Sequence, residues 1–233
     1  MQYKDPYIEL CIEGSSSVLK GLSDKDKETL DNHHSVSIFA KGDIIIRQGF
    51  KQRGLICLAS GKAKVFKVGA GEREQILKML RPQCYIGYRA LFVDNTFPFT
   101  VTAVEDSAIV VFEKNYMMRI LRRNADLAIK FMKLMADELL YLNNRIVSLT
   151  QKHVSARIAE SLLLLRDTYG VEADGRTLRV LLSREDIAHL SNMTTSNAIR
   201  TLSGMVSEKI IEIDGRRITI LNTSSLETIS ELG

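Results

Sequence analysis

One stretch near the C-terminal end decides the fold: residues 181–221 read LLSREDIAHLSNMTTSNAIRTLSGMVSEKIIEIDGRRITIL. Ser183 can cap a first short helix, with an acidic residue at its third position as in a capping box. After a three-residue break, Thr194 can cap a second helix. The pair Asp214-Gly215 favours a tight turn between two short strands. Two short helices joined by a turn and followed by a β-hairpin form a winged helix-turn-helix.

The second of these helices presents a polar side. The residues at its start have short hydrogen-bonding side chains, which can approach base edges and phosphates closely. Arg200 lies one turn further along, where its guanidinium can bridge two acceptors of a guanine or pair with a phosphate. No acidic residue occurs between Thr194 and Ser207. The residues that we expect to bind DNA are Ser183, Arg184, Thr194, Thr195, Ser196, Asn197, Arg200 and Arg216.

The apolar residues of the same stretch recur at helical spacing, which predicts a small core beneath the polar side. The expected anchors of this core are Ile187, Leu190, Ile199, Leu202 and Val206. The alternative interpretation is a small helical domain whose polar surface binds nothing.

Upstream of this motif the sequence has the period of a long helix. Between Asn115 and Thr150 there is no Gly or Pro, and apolar residues are spaced alternately by four and three positions. This spacing is typical of a coiled-coil seam. A second apolar stripe, at Leu127, Phe131 and Leu134, lies on a neighbouring face. The residues of the seam are Ala128, Met132, Met135, Leu139, Leu142, Ile146 and Leu149.

A helix with two apolar faces must bury each of them against something. We expect the second stripe to pack on the chain's own β-rich half and the seam to pack on a second copy of the helix. The alternative is a core helix of a monomer. A domain boundary is expected near residue 150, followed by a helix from about Val154 to Tyr169 that Gly170 ends.

The first half of the chain has a different texture. From Ile38 to Glu113, short runs rich in Val, Ile, Phe and Thr alternate with glycines, which is typical of strands separated by turns. The runs are IIIRQ, LICLA, AKVFKV, QILKML, FTVTAV and SAIVVF. Because no helical stretch alternates with them, an antiparallel sandwich or barrel is favoured over a parallel sheet. A short helix is expected ahead of them, from its cap Ser23 to Asn32.

This order of elements resembles the CRP/FNR superfamily of bacterial transcription regulators, over about residues 20–221. The local matches are KGDIIIRQG (41–49), ASGKAKVFKV (59–68) and the C-terminal stretch quoted above. The resemblance implies an α+β fold: an antiparallel β-roll of jelly-roll type, a long dimerisation helix and a winged helix-turn-helix domain. The expected bounds are 1–113 for the N-terminal helices with the β-roll, 114–150 for the long helix and 151–233 for the DNA-binding domain.

The resemblance also implies a function. A member of this superfamily would bind a palindromic operator on double-stranded DNA as a homodimer, under the control of an effector in the roll, and would contact RNA polymerase if it is an activator. Arg200 corresponds to the base-contacting arginine of the superfamily. Ser196 stands where the superfamily often has Glu, a departure that bears on the half-site. An alternative is a cyclic-nucleotide-binding-like regulatory protein that acts through protein–protein contacts.

The effector region departs from the superfamily's cyclic AMP binders. Those carry Gly-Glu-Leu, whose Glu accepts from the ribose, followed downstream by Arg-Ser, which holds the cyclic phosphate. Here the two segments read GYRALF from Gly87 and FPFT from Phe97. We therefore expect an unidentified small-molecule effector rather than cyclic AMP. The candidate pocket residues, which could equally be core or surface, are Gly87, Tyr88, Arg89, Ala90, Phe97 and Phe99.

Metal and enzyme chemistry find little support in the sequence. An iron–sulfur cluster needs four thiolates, whereas Cys11, Cys57 and Cys84 stand on separate segments. They are expected to be buried hydrophobes, with a thiol-sensing role left open for Cys84. The strands from Ile38 to Phe112 contain no histidine, which argues against a metal-dependent β-roll enzyme. No catalytic or metal-binding group of residues is expected.

Composition is consistent with these expectations. The 233 residues are 45% hydrophobic and 26% charged, as in a packed soluble protein. No apolar run reaches the roughly 18 residues of a membrane span, and three cysteines with no signal peptide indicate the cytoplasm. Residues 1–149 hold 22 basic against 17 acidic residues, and 150–233 hold 10 against 11. The half expected to bind DNA is therefore not basic overall, and the placement of its arginines matters more than their number.

Overall fold

The structure is a computed structural model that describes residues 3–51, 53–93 and 96–231. Its contacts divide the chain into two compact units. The first unit consists of Met1–Val65 and Leu80–Leu140, and the second consists of Phe66–Met79 and Tyr141–Gly233. The second unit thus combines the C-terminal part of the chain with one segment from the β-rich half.

Helices and strands follow one another in the expected order. The helices are α1 (Pro6–Glu13), α2 (Asp24–Asn32), α3 (Arg89–Phe92), α4 (Lys114–Arg123), α5 (Ala125–Gln151), α6 (Val154–Tyr169), α7 (Arg184–Leu190), α8 (Thr195–Ser207) and α9 (Thr223–Glu231). The strands are β1 (His34–Phe39), β2 (Ile44–Ile46), β3 (Gly54–Ser60), β4 (Ala63–Val68), β5 (Glu74–Leu80), β6 (Tyr85–Ile86), β7 (Thr100–Ala103), β8 (Ser107–Glu113), β9 (Ile211–Asp214) and β10 (Arg217–Ile220).

Strands β1 to β8 form the expected antiparallel β-roll. In the described part of the chain one sheet has the order β1-β8-β3-β6 and the other has the order β2-β7-β4-β5. Strand β8 pairs antiparallel with β1, where Val36 lies opposite Val110, and with β3, where Cys57 lies opposite Val110. All six predicted apolar runs contain a strand. The prediction missed β1, whose sequence HSVSIF is half polar, and β6, which has only two residues.

Two apolar clusters fill the first unit. One cluster consists of residues from the strands of the roll, with Leu58, Ala63 and Val101 fully buried. The other joins α1, α4 and the start of α5 to the roll, and it contains Leu127 and Phe131 at 2% and 0% exposure. These two residues belong to the second apolar stripe of the long helix, so the expectation that this stripe packs on the chain's own β-rich half is confirmed.

The long helix is shorter than predicted. Instead of one helix over 114–150, the chain forms α4, breaks at Asn124 and continues as α5. Asn124 has extended backbone dihedrals, and its side-chain oxygen accepts from the backbone N–H of Leu127 at 2.9 Å. Asn therefore caps the second helix, with Asp126 in its first turn. Because the segment contains no Gly or Pro, the break was not predicted. Asn124, a residue type that often caps helices, was the local signal for it.

Shorter helices start and stop where their caps predict. Ser23 caps α2 by accepting from the backbone N–H of Asp26 at 3.3 Å. Helix α6 runs from Val154 to Tyr169, and Gly170 ends it at a φ of +74°. Both sets of bounds agree with the sequence-based prediction. No helix in the described ranges is long and apolar enough to cross a membrane.

The turn between β3 and β4 gives a first prediction. Gly61 (φ +83°) and Gly42 (φ +92°) share a left-handed backbone, but a Cβ at Gly61 would meet Ser107 and the carbonyl of Asp106, whereas one at Gly42 meets nothing within 4 Å. We expect Gly42→Ala to lower the free energy of unfolding by about 1 kcal/mol. Gly61→Ala should lower it by about 2 kcal/mol more, because backbone atoms must move. Urea denaturation followed by circular dichroism measures both, and equal losses would contradict the prediction.

Candidate nucleic-acid interface

The first helix of the motif begins at a complete capping box. The hydroxyl oxygen of Ser183 accepts from the backbone N–H of Asp186 at 3.0 Å, and the Asp186 carboxylate accepts from the backbone N–H of Ser183 at 3.3 Å. The Ser183 hydroxyl also donates to the same carboxylate at 2.7 Å. The predicted start of α7 is therefore correct, and Ser183 is engaged in holding it.

Three of the five expected anchors, Ile187, Leu190 and Leu202, are buried, and the other two are not. Ala198, Leu202 and Met205 are buried and lie at the i, i+4, i+7 spacing of a single helix face. Ile199 and Val206 were expected to anchor the helix but are 47% and 39% exposed. Each follows a buried residue by one position, which turns its side chain by about 100° around the helix axis.

The turn between the two helices also matches its sequence. Asn192 adopts a φ of +50°, a left-handed conformation that Asn tolerates better than most residues. Thr194 then caps α8, with its hydroxyl oxygen accepting from the backbone N–H of Asn197 at 3.3 Å. The predicted cap is thus confirmed, and α8 starts at Thr195.

The outer side of α8 carries the predicted contact residues. Ser196, Asn197 and Arg200 are exposed, as is the cap Thr194, whereas Thr195 is half-buried. Further along the same helix Ser203, Gly204 and Ser207 are exposed. The face is thus polar, free of acidic residues over the length of the helix, and has one fixed cation.

The β-hairpin after α8 lies against the start of α7. Strands β9 and β10 pair so that Asp214 lies opposite Arg217, which leaves a two-residue turn of Gly215 and Arg216. This turn is one residue later than the Asp214-Gly215 pair predicted. The Arg184 guanidinium donates to the carbonyl oxygen of Gly215 at 2.8 Å. The motif and the hairpin are therefore joined by Arg184, and Arg216 is exposed at the tip.

Two arginines of the motif and its hairpin make bonds within the chain. Arg217 forms an ion pair with Glu172, and the bond from Arg184 to the carbonyl of Gly215 uses one of the five N–H donors of its guanidinium. Arg200, Arg216 and Arg217 are exposed, and Arg184 is half-buried. Local spacing could not reveal these pairings, because Glu172 and Gly215 are distant in the sequence.

Side chains outside the motif hold its turn, and sequence reasoning missed them. The carbonyl oxygens of His189 and Asn192 accept from Gln75 and Arg157, each at 2.8 Å. The carbonyl of Leu190 accepts from Arg145. The three donors come from β5, α5 and α6. One signal was available, since Arg145 is the only cation of α5 after Lys133, in the part of the helix that carries the apolar seam.

The candidate effector residues lie in different packing environments. Phe97 is buried and Phe99 half-buried in the cluster inside the roll, whereas Tyr88 packs on the cluster around α1 and α4. Arg89 is exposed, and Ala90 is buried. Burial and the neighbouring carboxylate of Glu138 raise the pKa of Tyr88 above its ordinary value. Glu138, on α5, was not singled out from the sequence.

The cysteines lie closer together than their sequence positions suggest. Cys11 and Cys57 are fully buried, and Cys84 is half-buried. Burial and a hydrogen bond with Cys11 raise the pKa of the Cys57 thiol well above its ordinary value, so it stays protonated and unreactive. Among the described residues, no three His, Cys, Asp or Glu side chains are grouped so as to hold a metal ion.

Comparison with known proteins extends these observations. The family model of the cyclic nucleotide-binding domain matches residues 36–124, and that of the Crp-like helix-turn-helix domain matches residues 156–229. The anaerobic regulatory protein of Bacillus subtilis is 23% identical over 80% of this chain and 79% of its own length. A CRP-like cAMP-activated global transcriptional regulator of Mycobacterium tuberculosis is 22% identical over 81% of this chain and 84% of its own.

Solved structures share the fold. FixK2 from Bradyrhizobium japonicum aligns with a TM-score of 0.75 at 19% identity, over 84% of this chain and 96% of its own. A mutant of CooA from Carboxydothermus hydrogenoformans aligns with a TM-score of 0.72 at 20% identity, over 94% and 95% of the two chains. The fold, the order of the two matched domains and these relatives agree. The chain belongs to the CRP/FNR superfamily, whose members are transcription regulators with a helix-turn-helix DNA-binding domain and are not enzymes.

Proposed function

We propose that this protein binds a specific palindromic operator as a homodimer, with α8 as the recognition helix. The observation that carries the proposal is the exposed, acid-free face of α8, with Ser196, Asn197 and Arg200 in its first two turns. Such a regulator works in the cytoplasm and contacts RNA polymerase if it activates transcription.

Each exposed group on this face has a chemical role toward DNA. Ser196 and Asn197 are short enough to reach base edges or phosphates, and the positive end of the helix dipole favours a phosphate beside them. Arg200 can donate two parallel hydrogen bonds to a guanine. Arg216, at the hairpin tip, suits a phosphate contact. Ser183 and Arg184 support the surface from within, since both make the intramolecular bonds described above.

The first test removes the Arg200 side chain. Arg200→Ala should weaken binding to the operator by about 1–3 kcal/mol and relax the base preference at one position of each half-site. The operator is first selected from random duplexes, and binding is then measured by gel shift and footprinting. The matched control is Arg179→Ala, which removes an exposed arginine outside the motif that donates to the carbonyl of Val171. An unchanged footprint for Arg200→Ala would refute the assignment.

The dimer is supported by the second face of α5. Met132, Leu139 and Ile146 are 56%, 61% and 61% exposed, although all three are apolar. The other proposed interface residues are Met135, Leu142 and Leu149, each half-buried or slightly more exposed. A stripe of apolar side chains with this heptad spacing is stabilised when it packs against the same stripe of a second copy. Two parallel copies of α5 would carry two recognition helices to half-sites about 34 Å apart.

The second test places charges in this stripe. The double variant Leu139→Glu with Ile146→Glu should be monomeric, because carboxylates would be buried against each other in the seam. Size-exclusion chromatography with light scattering measures the mass, and circular dichroism should stay unchanged, since both positions are exposed in the single chain. The control is Asn144→Glu, which adds a charge at an exposed position of α5 outside the seam. A dimer in the double variant would contradict the proposed interface.

The effector is proposed to be something other than cyclic AMP. At the positions that hold the ribose and the phosphate in cyclic AMP binders, this chain has Tyr88 and the Phe97 segment. Phe97 is buried among apolar residues of the roll, and Arg89 is exposed. No residue at these positions offers a buried cation for a phosphate.

The third test titrates cyclic AMP and cyclic GMP into the full chain by calorimetry. We expect no saturable binding at micromolar concentrations, because a buried phosphate without a cationic partner is strongly disfavoured. The cAMP-activated regulator of Mycobacterium tuberculosis serves as the positive control. Saturable micromolar binding to the roll would overturn this part of the proposal.

A further inference from the structure

The turn of the helix-turn-helix is held by a set of side chains that comes from three separate elements. Gln75 on β5 donates to the carbonyl of His189, Arg145 on α5 to that of Leu190, and Arg157 on α6 to that of Asn192. All of these residues belong to the second unit. Within residues 189–192, three backbone carbonyls thus each accept a hydrogen bond from a different element.

Arg145 occupies an unusual environment for a cation. It is 6% exposed, and one of its guanidinium nitrogens lies 3.8 Å from a Glu160 carboxylate oxygen. Its Nε and Nη1 atoms have no hydrogen-bond partner. Glu160 also accepts from Lys152 at 3.0 Å and from Ser148. A buried and partly unsatisfied guanidinium costs free energy. The contacts of Arg145 therefore add little stability, but they fix the position of the Leu190 carbonyl relative to α5.

The hairpin of β4 and β5 completes the arrangement. Next to Gln75, a carboxylate oxygen of Glu74 lies 3.6 Å from Nδ1 of His189. On its other side the hairpin is tied to α5, because the Tyr141 hydroxyl donates to the carbonyl of Leu77 at 3.2 Å. The hairpin therefore bridges the end of α7 and the part of α5 that belongs to the same unit.

We propose that Gln75, Arg145 and Arg157 form a clasp that sets the position of the recognition helix relative to α5, and thereby the half-site spacing that the dimer reads. The proposal rests on the proposed function. The three are positioning residues, since they act on DNA binding through the turn that precedes α8.

The expected consequence is a change in spacing preference. One base pair moves a half-site by about 3.4 Å along the duplex and rotates it around the axis. A rigidly placed recognition helix therefore rejects a spacing that is wrong by one or two base pairs. If the contacts that hold α8 are weakened, the helix can adapt to half-sites with the wrong spacing. It then loses more conformational entropy when it binds half-sites with the optimal spacing.

The experiment measures the affinity of the full chain for its selected palindrome and for the same half-sites with one or two base pairs added or removed at the centre. Gln75→Ala, alone and combined with Arg145→Lys, should weaken binding to the optimal spacing by about fivefold and reduce the discrimination between spacings by a similar factor. Gln75 is half-buried, so its truncation should leave the fold intact. The matched control is Gln48→Ala, an exposed glutamine of the first unit.

A second readout does not depend on DNA. Hydrogen exchange at the amides of residues 191–197 should be faster by about fivefold in the variants than in the parent chain and in the control, since the turn has lost a tether. A spacing profile and an exchange rate equal to those of the parent would overturn the clasp. An equal loss of affinity at every spacing would also overturn it, because that result indicates a structural role only. If the parent selects no palindrome, the proposed function fails, and the exchange rates alone decide the clasp.

Discussion

The burial of Leu127 and Phe131 fixes the direction in which α5 points its remaining side chains. Positions on the same face as these two are buried or half-buried along the helix, down to Arg145 and Ser148. Because a helix has one rotational setting, this burial turns the heptad stripe that contains Leu139 to the outside. The pairing proposed for that stripe depends on this one packed face.

Local signals carried most of what the sequence predicted correctly. Ser183 and Thr194 cap their helices through bonds that span three residues, and Gly170 ends α6 with its own backbone. Such interactions are written into neighbouring residues, so a single sequence reveals them. The missed break at Asn124 was of the same kind, since its cap is also local.

Tertiary contacts account for what could not be predicted. The expected role of Arg184 at DNA stays a prediction, and the sequence did not show that its guanidinium also donates to a carbonyl 31 residues away. The run QILKML predicted strand β5 correctly, but it could not show that the Gln75 side chain donates to His189, 114 residues later. The prediction that Ile199 anchors α8 was wrong, because the adjacent Ala198 is buried instead. Spacing alone does not determine which of two adjacent apolar residues packs into the core. The spacing of apolar residues limits which helix faces can be buried, and tertiary contacts determine which of them is buried.

Arg184 and Arg217 each bond to a partner within the chain, Gly215 and Glu172. These bonds bear on how such a regulator finds its target. A genome contains a vast excess of non-specific sites, and the affinity of a protein for them comes from cations that contact phosphates. In the proposed function, the bonds that Arg184 and Arg217 make within the chain leave fewer donors free for phosphates, so we expect encounters with such sites to be brief. For the proposed function we therefore expect low affinity for non-specific DNA and a shallow dependence of that affinity on salt concentration.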